Sequence, residues 1–72
     1  MEITGILIRK KNNNRGKLSI TIKDHFNNSK RIQVRSKTVN KVAELNDKDV
    51  VKATYFKENG HTILTSITRI DG

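Results

Sequence analysis

Polar and apolar residues alternate most cleanly from Leu18 to Lys23, where Ser19, Thr21 and Lys23 separate Leu18, Ile20 and Ile22. A strand turns successive side chains to opposite faces, so KLSITIKD predicts an extended segment with three aliphatics turned inward. SKRIQVRSK, residues 29–37, repeats the pattern, with Ile32 and Val34 on one face and Arg31, Gln33, Arg35 and Lys37 on the other. HFNNS lies between the two runs and is rich in turn formers. A connection of about seven residues suits a hairpin. Upstream, MEITGILIRK reads as a first strand whose Ile3, Ile6, Leu7 and Ile8 leave both faces apolar. Gly5 within it predicts a bulge or sharp bend, as where a strand turns a barrel corner. The polar loop KNNNRGK follows. In TVNKVAEL the period changes, since Val39, Val42 and Leu45 recur every third residue. That spacing predicts a helix of about two turns, with Ser36 or Thr38 available to cap its start. NDKD closes it as a turn, and VVKATYF and HTILTSITRI read as two further strands. Asn59-Gly60 between them is the dipeptide that a type I′ hairpin turn favours, because both central residues take positive φ.

The order is three strands, a short helix and two strands, in a single domain over residues 1–72. It predicts an all-β fold, a small five-stranded OB-type Greek-key barrel with the helix between strands three and four. An SH3-like or Sm-like barrel is the alternative, but it places no helix there. Through Gly5 in the first strand, the LNDKDVVKA turn into the fourth and the closing ILTSITRI, the chain resembles the small OB-fold nucleic-acid-binding proteins. These include single-stranded-DNA-binding proteins, cold-shock domains and translation initiation factor one. The likeness is one of element order and length. KLSITIKD and KRIQVRSK contain no counterpart of the aromatic-rich motifs of cold-shock domains.

Charge adds a direction to this outline. Residues 1–41 hold eleven Lys or Arg against Glu2 and Asp24, a balance of +9, whereas residues 42–72 come to −1. Segregation of this kind is the electrostatic footprint of a phosphate-backbone binder. Fourteen Ile or Val residues and seven Thr favour strands. The chain has no cysteine, which removes disulfides and thiolate metal sites and suits a reducing cytoplasm. No apolar run reaches the length of a membrane span, and the Met1 end lacks signal-peptide features. A soluble cytoplasmic protein is the expectation.

Catalytic groups are sparse. His25 and His61 have no neighbouring Ser or Asp in sequence that makes a nucleophile–base pair. Asp47 and Asp49 read as turn residues, and the four glycines are too dispersed for a phosphate-cradling loop. No enzymatic activity, cofactor or metal is expected.

Binding has more support. The OB-fold resemblance implies a ligand face on strands two and three, closed over by the first–second and fourth–fifth loops. Mapped onto this chain, that face and the adjoining loop bring together Lys10, Lys11, Arg15, Lys17, Lys23, Arg31, Gln33, Arg35 and Lys37. Phe26, in the second–third loop, either folds over the barrel end or stacks on a base. Tyr55 and Phe56 are adjacent and so point to opposite faces, one into the core and the other free to stack. The expected ligand is single-stranded DNA or RNA, held chiefly by charge. A protein-interaction module is the rival, either docking a basic face on an acidic partner or pairing an edge strand with another chain, a second copy included. The Asn- and Lys-rich composition is also similar to that of accessory proteins carried by phages and mobile elements.

Overall fold

The computed structural model describes residues 1–12 and 17–70. Strands β1 (Glu2–Asn12), β2 (Leu18–Lys23) and β3 (Ser29–Val34) precede helix α1 (Val39–Ala43), and β4 (Val50–Glu58) and β5 (His61–Arg69) follow it. The strands close into an OB-type barrel in the order β1-β2-β3-β5-β4, with β4 returning to β1. Every neighbouring pair is antiparallel except β3 and β5, which run parallel and meet at Gln33 and Ile63.

The expected alternation fills the barrel. Ile20, Ile22 and Ile32 are fully buried, Val34 nearly so, and Leu18 packs half-buried against them. Leu7, Val51, Ala53, Tyr55, Leu64 and Ile67 complete the strand contribution. Each large aliphatic removed from water contributes roughly 1.5–3 kcal/mol before ordering entropy is set against it. Helix α1 adds Val42, and Leu45 just beyond it joins the same core. Helix α1 is shorter than the sequence period suggests, five residues with Thr38 at its N-cap. Thr38 does not cap it through its side chain, because Oγ1 donates instead to the Arg35 carbonyl at 3.1 Å.

β1 serves two partners. Its first half pairs with β4 and its second half with β2, the changeover falling at Ile6. Gly5 sits at this corner, where a Cβ would collide with the Lys23 carbonyl. The bulge itself falls later, at Ile8, between the Leu7–Ile22 and Arg9–Thr21 pairs. Leu7 keeps its register with Ile22, and its backbone groups face the turn that leads into β4: its amide donates to the Asp49 carbonyl at 2.9 Å and its carbonyl accepts from the Lys48 amide at 2.7 Å. Asp49 also closes its own turn by accepting the Asn46 amide at 2.8 Å. The β4–β5 turn has the predicted form, with φ of 51° at Asn59 and 80° at Gly60. Among the described residues no helix is long and apolar enough to cross a membrane.

Candidate nucleic-acid interface

Register across three strands sets the polar face. Lys11, Ser19 and Gln33 lie side by side in one row, and Arg9, Thr21 and Arg31 in the next. A third row places Lys23 beside Ser29 and Ile6. Their cross-strand neighbours alternate with Ile20, Ile22 and Ile32, so these side chains stand on the outside of the barrel. Cations at Arg9, Lys11, Lys23 and Arg31 therefore share one convex face with hydroxyls and an amide. The three rows contain no carboxylate among the described residues.

The bulge at Ile8 decides which β1 cations belong here. Unbroken alternation from the buried Leu7 puts Arg9 inside and Lys10 outside. One extra residue reverses that parity, so Arg9 pairs with the outward Thr21 and Lys10 with the inward Ile20. Lys10 consequently leaves the polar face, and its Nζ donates to the Leu45 carbonyl at 2.6 Å, just past the end of α1. Lys10, expected with the cationic loop beside the face, is turned away from it, and Arg9, which is not among the expected site residues, stands on the face. The signal was present in the sequence, because Ile6-Leu7-Ile8 cannot alternate.

Beyond Val34 the polar alternation continues in sequence but the strand does not. The Thr38 amide donates to the Arg35 carbonyl at 2.9 Å, folding residues 35–38 into a turn. Lys37 is thus carried on this turn and not in line with Arg31 and Gln33. Arg35 Nη2 donates to Glu58 Oε2 at 2.9 Å, an ion pair that is largely solvent-exposed. Gln33 Nε2 lies 3.3 Å from His61 Nδ1, which ties the end of the row to β5. A shallow groove among Lys11, Lys17, Arg31 and Gln33 continues past Lys17 and Gln33 into a cleft of about 400 Å³ reaching Arg35 and Ser36. Arg15 lies outside the described residues.

Phe26 does not fold over the barrel. It is 71% exposed on the β2–β3 turn, with its ring centroid 3.9 Å from that of His25. Asp24 orders this turn, since its Oδ1 accepts the amides of Phe26 and Asn28 at 2.9 Å each. Of the adjacent pair on β4, Tyr55 enters the core, with Lys30 Nζ 4.8 Å from its ring centroid, and Phe56 remains outside. Glu58 and His61, which contact the face through Arg35 and Gln33, had no signal in the sequence, because a parallel β3–β5 contact is not local. Compared with known proteins, the chain matches no family model, no curated protein and no solved structure.

Proposed function

We propose that this chain is a non-enzymatic protein of the reducing cytoplasm that binds single-stranded DNA or RNA on the outer face of β1–β3. The observation that carries the reading is the composition of the three rows: four cations, hydroxyls and Gln33, with no acid among them. Cations at Arg9, Lys11, Lys23 and Arg31 suit successive phosphates, and displacing condensed counterions from those phosphates supplies the affinity. Ser19, Thr21 and Gln33 offer hydrogen bonds to sugar, phosphate or base edges. A flexible single strand follows a convex barrel more readily than a stiff duplex does.

Anisotropy titrations with labelled single- and double-stranded oligonucleotides at several salt concentrations test the reading. If four phosphates are neutralised on a single strand, log K falls with log salt at a slope of about −3. The double variant Arg9→Glu/Arg31→Glu is expected to abolish binding while keeping the native circular dichroism spectrum. Tight duplex binding, or affinity unchanged by the double reversal, refutes it. A protein partner is the second reading, favoured by the exposed Ile6, Ile8 and Val50 around the β1–β4 seam. No oligonucleotide binding at low salt makes that reading the better one.

A further inference from the structure

Ile63 is 2% exposed yet stands outside the main core cluster. Its neighbour Leu64 points into the barrel, and a bulge at Thr65 lets Leu64 and Ile67 both face inward. Ile63 is thereby turned outward, in register with Gln33 on one side and Phe56 on the other. The row Lys11–Ser19–Gln33 thus continues across the β3–β5 contact and becomes apolar. Against this apolar end stands the 35–38 turn, and the two enclose a cleft of about 330 Å³ lined by Arg35, Lys37, Phe56, Ile63 and Thr65. Arg35 and Ser36 line both this cleft and the one that begins at Lys17 and Gln33, so the cationic groove leads into it. Phe56 is 38% exposed at its mouth.

An apolar floor, one aromatic ring and two cations at the rim match the chemistry of a base flanked by phosphates. The volume lies near the lower end of the ~300–1,000 Å³ range of small-ligand pockets, a fit for one planar ring. Resting on the function proposed above, we propose that this cleft receives one nucleobase of the bound strand. Its ring lies against Phe56, and the adjoining phosphates reach Arg35 and Lys37. Glu58, now on Arg35, is the carboxylate that a phosphate replaces.

The probe is a thymidine oligomer of about ten nucleotides, within the span one OB fold covers, beside an abasic oligomer of equal length and charge. Wild type is expected to prefer the thymidine oligomer. Phe56→Leu keeps an apolar cover over Ile63 but removes the π face, and should weaken thymidine-oligomer binding by about 5- to 150-fold. It should leave abasic binding unchanged and erase the preference. The chain has no tryptophan, so Phe56→Trp supplies a single indole that thymidine oligomer quenches and abasic oligomer does not. Equal wild-type binding of the two oligomers, or a preference that survives Phe56→Leu, overturns the base site while the basic face stands. If Phe26→Leu erases the preference and Phe56→Leu does not, the base sits on the β2–β3 turn and the cleft is not its site. Binding of neither oligomer at low salt overturns the nucleic-acid reading itself.

Discussion

Single residues separate stability from binding in this barrel. Gly60 has φ of 80° and nothing within 4 Å of where a Cβ would stand. A Cβ there stands in open space, so the loss comes from the backbone conformation and not from a clash at that atom. Gly60→Val is expected to cost about 1–3 kcal/mol, because a β-branched residue resists positive φ. Denaturant unfolding measures it, and an unchanged midpoint would mean that the turn tolerates another form. Glu58 is the opposite case. Its pairing with Arg35 is largely solvated, and exposed pairs contribute at most about 1 kcal/mol. Glu58→Gln should therefore leave stability nearly unchanged. It also removes a negative charge from the rim and releases Arg35, so oligonucleotide affinity should rise about two- to fivefold. Weaker binding in that variant would show that Glu58 positions Arg35 for its ligand and does not compete with it.

At the scale of elements, two bulges mark the limit of what the sequence made legible. The succession of elements, the inward set on β2 and β3 and the helix position follow from local periodicity, the β4–β5 turn follows from its Asn59-Gly60 dipeptide, and the barrel has them all. Alternation fails where one inserted residue reverses it, at Ile8 in β1 and at Thr65 in β5. The first bulge exchanges Arg9 for Lys10 on the polar face, and the second turns Ile63 toward Phe56. Neither exchange alters composition, so counting charges finds the patch but not its members. A paired comparison tests the first bulge. Lys10→Ala loses a charge-assisted bond to the Leu45 carbonyl, costing about 1 kcal/mol of stability, and should leave the salt slope unchanged. Arg9→Ala should leave stability within about 0.5 kcal/mol and reduce the slope by about 0.7. The reverse assignment of effects would place the bulge elsewhere.

For the whole molecule, the question is whether ligand attraction comes from net charge or from where the charge stands. The barrel measures 33 × 24 × 18 Å, roughly two to four times the ~8 Å screening length at physiological salt. An exposed charge more than one such length from a strand bound on β1–β3 is therefore largely screened from it. Lys52 and Arg31 provide a direct contrast. Lys52 is on β4, beside Thr4 of β1 and Thr68 of β5, with Glu2 as its 3.6 Å partner. It lies four residues from Phe56, about 13 Å along the strand. Arg31 stands in the middle of the cationic rows. Lys52→Glu and Arg31→Glu lower the formal charge of +8 by the same amount, so an attraction set by net charge treats them alike. A docked strand does not, because Arg31→Glu puts a carboxylate against its phosphates and like charges in contact cost several kcal/mol. At physiological salt we expect Arg31→Glu to weaken single-strand binding by more than about tenfold and Lys52→Glu to change it by less than about twofold. Lowering the salt lengthens the screening distance, so Lys52→Glu should begin to lose affinity as well. Equal losses at physiological salt would reduce the polar face to a diffuse positive field with no docking site of its own.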